Sequence, residues 1–228
     1  MQWIDDYQLV LLDFDGLLVD TEQVHYRAYQ EMCAAHGCDL DIDFPTYCRY
    51  AHYSAEAFRN AIYRMFPQLR ADFPDWGELY REKSAIYRRL LIEEPVELMP
   101  GADLLLEELA KSGVKHSVVT HSAKALVDVL RGKMKGLQSI PYWITREDYE
   151  RPKPYPDCYR KAVEKFAGAG DRVVGFEDTP RGLRALLPTR AQAVLIASIP
   201  YPEIEELKAE GALHYASLKG LLGVEHLH

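Results

Sequence analysis

The chain has 228 residues, 48% of them apolar and 27% charged, which suits one large globular domain or a domain with an insertion and leaves ample length for a core. Its 35 acidic residues against 27 basic ones give a formal charge of −8, which argues against a general nucleic-acid binder, whose affinity needs a basic surface. No window approaches the roughly 18 apolar residues of a membrane span, MQWIDDYQ lacks the basic stretch of a signal peptide, and Cys33, Cys38, Cys48 and Cys158 form no CxxC pair, so a reducing cytoplasm is the simplest compartment.

In chain order, LVLLDF (9–14) is a continuous apolar run, as in a strand buried on both faces. Residues 21–93 show helical period and no convincing strand. The expected helices there are TEQVHYRAYQEMCAAHG, SAEAFRNAIYRMF and WGELYREKSAIYRRLLIEE; in the last, Trp76, Leu79, Tyr80, Ile86, Tyr87, Leu90 and Leu91 share a face that Lys83 interrupts. Tyr47, Arg49, Tyr50, His52 and Tyr53 crowd a segment read as a loop before the second of these helices. Pro95 and Pro100-Gly101 mark the return. Short apolar runs then follow at 116–120, 141–145, 172–176, 193–198 and 212–217, with helical patterns at 102–113, 122–132 and 156–166. Such alternation predicts βαβ units and a Rossmann-like parallel sheet. The expected boundaries are a core of 1–18 and 97–228 and a helical insert of 19–96.

Candidate chemistry lies at strand ends. Asp13 and Asp15 close the first strand in DFDG. Alone, this tetrapeptide also suits a turn. A calcium loop of EF-hand type is excluded, because Leu17 and Val24 occupy the positions that need a third acid and a glutamate. Thr120 ends HSVVT, Lys153 sits among three prolines in RPKPYPD, and Glu177 and Asp178 end VVGFED. In a parallel sheet these ends share one edge, where ligands bind. Each residue has an ordinary reading: Thr120 as a strand end, Lys153 as a solvated loop lysine, Glu177 and Asp178 as acids before a helix capped by Thr179 with Pro180 at its first position. Together they gather several carboxylates, a hydroxyl and an ammonium, and a hard cation such as Mg²⁺ makes that company tolerable.

DFDGLLVDTE, Thr120, Lys153 in RPKPYPD and GFEDTPRG resemble, in order along the whole chain, the four motifs of haloacid dehalogenase-superfamily phosphohydrolases with a helical cap after the first strand. The nearest likeness is to the β-phosphoglucomutase and phosphoglycolate-phosphatase branch. The resemblance implies a cytoplasmic Mg²⁺-dependent phosphatase for a small phosphorylated metabolite. Asp13 is then the nucleophile and Asp15 the general acid and base. Thr120 and Lys153 bind the phosphoryl group. Asp13, the Asp15 carbonyl and Asp178 are metal ligands, and Glu177 ligates directly or through water. His25 is a candidate for linking cap and site, with a plain helix histidine as the alternative. His121 departs from the Asn of many relatives, and its role stays open. Arg49 and His52 are candidates for substrate binding, with cap packing as an equal alternative. A sugar phosphomutase is the enzymatic alternative and a catalytically silent binding protein the other. Asp15 speaks against a dehalogenase, whose reaction has no alkoxide to protonate. A phosphonatase needs a Schiff-base lysine, and the cap offers only Lys83, within a helical pattern.

Overall fold

The computed structural model describes residues 2–53, 55–221 and 223–227, and all of their side chains except those of His52, Tyr53 and Ala55. The chain divides into two compact units, Met1–Asp20 with Glu97–His228, and Thr21–Val96.

The first unit begins with a 3₁₀ helix over Gln2–Asp6 and continues into β1 (Leu9–Leu12), every residue of which is buried. Unbranched alternation with polar residues is absent because both faces of this strand are covered. The chain then passes through the second unit, which consists of α1 (Glu22–Ala35), α2 (Phe44–Tyr53), α3 (Ala55–Met65), α4 (Pro67–Asp72) and α5 (Trp76–Glu93). It returns through α6 (Ala102–Ser112), β2 (Lys115–Val119), α7 (Lys124–Lys133), α8 (Lys135–Gln138), β3 (Tyr142–Ile144), α9 (Asp157–Phe166), β4 (Val173–Glu177), α10 (Pro180–Leu186), β5 (Gln192–Ile196), α11 (Ile204–Ala209) and β6 (Leu213–Tyr215). No helix is long and apolar enough to cross a membrane among the described residues.

All six strands are parallel, in the order β3-β2-β1-β4-β5-β6. This is the α/β architecture expected from the alternating pattern. The order reverses beside β1, the switch point at which a crevice opens beyond the strand ends. Leu12 pairs with Val118 on one side and Phe176 on the other. Asp13, Val119 and Glu177 therefore come level at one edge. The two passages of chain at the border of this unit run side by side: Asp20 N–H donates to the Glu97 carbonyl and Met99 N–H to the Leu18 carbonyl, both at 2.9 Å.

Two readings of the helical unit need correction. Residues 44–53 form α2, a helix where a loop was expected. The Asp43 carboxylate accepts from Thr46 N–H at 2.7 Å and starts it. Tyr47 is buried and packs with Tyr26, Tyr29, Phe44 and Phe58, so burial of aromatic surface holds the segment helical. Lys83 does not interrupt the apolar face of α5; it is itself buried with Leu79, Tyr87, Leu90 and Leu91, whereas Tyr80 is 49% exposed. The long stem of lysine packs like an apolar side chain, and its ammonium finds partners described below.

Gly175 in β4 has a packing reason. A Cβ there would stand 2.6 Å from Cδ2 of Leu186, a residue with no exposed surface. Gly175→Ala is expected to lower stability by about 1–3 kcal/mol through overpacking, read as a lower urea midpoint at unchanged slope. An unchanged midpoint would show that Leu186 yields freely.

Candidate active site

Four strand or loop ends meet at the β1 edge. Asp13 follows β1, Thr120 follows β2, Glu177 ends β4, and Lys153 reaches in from the segment before α9. The Lys153 ammonium lies 2.6 Å from Asp13 Oδ1, 2.6 Å from Glu177 Oε1 and 3.1 Å from the Val119 carbonyl. Side-chain exposure is 8% for Lys153, 9% for Asp13 and 1% for Glu177, so water screens this cluster little. Burial works against the charge of Lys153, but Asp13 and Glu177 reverse that and hold its pKa well above the ordinary value. Burial, and then the charge of Asp13, push the Glu177 carboxyl upward.

Tyr159, in the first turn of α9 and fully buried, donates its hydroxyl to Glu177 Oε1 at 2.5 Å. Nothing in the motif reading pointed to it; the only signal is its position two residues into a helix that starts just after Lys153. Ser122 was likewise not assigned a role. Its hydroxyl donates to Asp15 Oδ2 at 2.7 Å, and Thr120 Oγ1 donates to the same oxygen at 3.2 Å. Ser122 N–H in turn donates to Thr120 Oγ1 at 2.9 Å.

Asp13, Glu177 and Asp178 each offer an oxygen within 4.8 Å of the others. Asp15 lies nearby, bonded to Ser122 and Thr120. The donors are all hard oxygens, which suit a divalent cation. The backbone makes room for this grouping. Gly16 has φ 80°, and a Cβ there would fall 2.2 Å from Asp178 Oδ2. At Gly182, in α10, a Cβ would fall 2.0 Å from Glu177 Oε2. Thr179 caps α10 by accepting from Gly182 N–H, with Pro180 at the first turn.

His121 follows Thr120 and is exposed; its Nδ1 lies 3.0 Å from the Tyr149 hydroxyl. The other candidates belong to the helical unit. His25, in the first turn of α1, stacks on Tyr87 at 3.8 Å, and its Nδ1 lies 2.5 Å from the Lys83 ammonium. Lys83 also stands over the rings of Tyr29 and Tyr87, at 4.7 and 4.9 Å, contacts that suit a cation. Arg49, in α2, donates to Thr46 Oγ1 at 2.7 Å and lines a surface pocket with Thr46, Tyr50 and Ala57. The side chain of His52 lies outside those described, as does Ser54.

Acids, a hydroxyl and a buried ammonium at the switch point of a parallel sheet are the equipment of a phosphoryl-transfer enzyme. The haloacid dehalogenase-like hydrolase family matches residues 7–187, and the chain belongs to that family. It is 28% identical over 225 residues to protein CbbY of Cereibacter sphaeroides, covering 96% of each chain. It is 27% identical to hexitol phosphatase A of Escherichia coli, covering 86% of this chain and 87% of that one. A β-phosphoglucomutase of Mycobacterium tuberculosis is also 27% identical, over 77% of this chain and 75% of its own. Among solved structures, a family IA hydrolase from Entamoeba histolytica superposes with a TM-score of 0.72 at 25% identity, covering 93% of this chain and 94% of that one.

A cation in the acidic cluster should stabilise the folded state by mass action, by about 2.7 kcal/mol at a hundred times its dissociation constant. The melting temperature is therefore expected to rise with added Mg²⁺, and Asp178→Asn to shrink the rise. Equal shifts in wild type and variant would remove Asp178 from the ligand set.

Proposed function

We propose that this enzyme is a Mg²⁺-dependent phosphomonoesterase that hydrolyses a small phosphorylated sugar or polyol through a phosphorylated Asp13. The observation that carries the reading is the Lys153 ammonium 2.6 Å from both Asp13 and Glu177. It engages one oxygen of Asp13 and leaves the other for attack at the crevice. Relatives that bear the names of phosphatases for phosphorylated hexitols support the substrate class.

Asp13 attacks phosphorus in line, the ester bond to the leaving oxygen breaks, and the phosphoryl group passes to the carboxylate. Asp13, Asp178 and the Asp15 carbonyl, with Glu177, would hold Mg²⁺, which would supply charge neutralisation for the phosphoryl oxygens. Lys153 adds positive charge beside the same oxygens. Thr120 and Ser122 now spend their hydroxyls on Asp15. An incoming phosphoryl group competes for those two donors and loosens their hold on Asp15. A protonated Asp15 gives its proton to the leaving alkoxide. It then takes one from the water that cleaves the aspartyl-phosphate and restores Asp13.

Asp13→Asn is expected to abolish turnover in a folded protein, and the wild type to bind beryllium trifluoride only when Mg²⁺ and Asp13 are both present. Asp15→Asn is expected to lose about 10²–10⁴-fold on an alkyl phosphate and less at the first step of p-nitrophenyl phosphate, whose leaving group needs little protonation. Turnover by Asp13→Asn, or an equal loss on both esters, refutes the assigned roles. Mutases among the relatives keep a second reading alive. β-Glucose 1-phosphate with a trace of the 1,6-bisphosphate separates the two. Inorganic phosphate is the expected main product, and glucose 6-phosphate forming faster would establish the mutase.

A further inference from the structure

His121 follows Thr120 in the chain, is exposed, and takes no part in the steps above. One edge of its ring is tied down. Nδ1 lies 3.0 Å from the hydroxyl of Tyr149, which is 8% exposed, and that hydroxyl lies 3.0 Å from the carbonyl of the fully buried Thr120. A carbonyl only accepts, and among the described residues no backbone donor reaches this one. The single proton of Tyr149 is therefore spent on Thr120. Nδ1 must supply the proton that joins His121 to the Tyr149 oxygen, so the neutral ring carries its lone pair on Nε2.

The ring also stays neutral. Desolvation, then Arg146, Arg181 and Lys153, hold its pKa down to about 4, against a smaller opposite pull from Asp13. Nε2 is thus an acceptor with no proton to give. It can pair with a hydroxyl, and it repels a carboxylate.

We propose that His121 is a specificity-determining residue, whose Nε2 accepts a hydrogen bond from a hydroxyl next to the phosphoester of the substrate. The inference rests on the phosphomonoesterase reading and narrows it to hydroxylated leaving groups, in preference to alkyl or carboxylate-bearing ones. An acceptor that stays unpaired with the wrong substrate discriminates more sharply than lost apolar contact.

Three esters share a phosphate on a CH₂ group and differ beyond it: glycerol 1-phosphate carries hydroxyls on the next two carbons, propyl phosphate none, phosphoglycolate a carboxylate. The ratio of kcat/KM for glycerol 1-phosphate to that for propyl phosphate is expected to fall about tenfold in His121→Ala, since exposure limits the effect below that of a buried pair. His121→Gln, which keeps an acceptor, should retain part of the ratio. Ratios within one variant cancel any general loss of activity. Independently of turnover, long-range ¹H–¹⁵N spectra of ¹⁵N-histidine-labelled protein should show His121 protonated at Nδ1, with Tyr149→Phe releasing that tautomer. A proton on Nε2 in the wild type, or an unchanged ratio in His121→Ala, overturns the proposal while leaving the phosphatase reading intact. Failure of the wild type to hydrolyse any of the three esters sinks that reading and this inference with it.

Discussion

The Lys153 ammonium is the interaction on which the site depends. It joins the end of β1 through Asp13, the end of β2 through the Val119 carbonyl and the end of β4 through Glu177. Without it two buried carboxylates would face each other with no opposite charge at hand, and each desolvated charge costs several kcal/mol. Prolines on both sides of Lys153 narrow the backbone freedom of its segment, which lowers the entropy lost in holding the ammonium there. The same edge also gathers Asp178, and the oxygens of Asp13, Glu177 and Asp178 lie within 4.8 Å of one another, a hard donor set that suits a divalent cation.

Glycine positions follow from the same crowding. Gly16 belongs to the turn after Asp13, yet the atom its missing Cβ would strike belongs to Asp178. Gly182 belongs to the helix after Asp178, and its missing Cβ would strike Glu177. The two loops therefore interlock through absent side chains, and the acids approach because the backbone beside them is bare. Tyr159 completes the arrangement by holding Glu177 from the helix side.

The helical unit has its own logic. An aromatic cluster of Tyr26, Tyr29, Phe44, Tyr47 and Phe58 is its visible core in α1, α2 and α3. Lys83 and His25 form a polar pair against tyrosine faces at the contact of α1 and α5. A lysine read from its spacing as a flaw in an apolar stripe turns out to be part of what the stripe buries.

Periodicity and motif order in the sequence determined the parallel sheet, the helices around it and the strand-end residues Asp13, Asp15, Thr120, Lys153, Glu177 and Asp178. Buried parallel strands are unbroken apolar runs, and their carboxyl ends share an edge whatever the side-chain details. Tertiary structure decided what depends on long-range packing. It made 44–53 a helix, because Tyr47 gains more from the aromatic cluster than local pattern reveals. It brought Ser122 to Asp15 across 107 positions, and Tyr159 to Glu177. It also brought His121 to Tyr149, 28 residues away, whose hydroxyl donates to a Thr120 carbonyl that no backbone donor reaches among the described residues. Spacing along a chain carries no information about which buried acceptor lacks a partner; only the folded arrangement decides where the last proton must go.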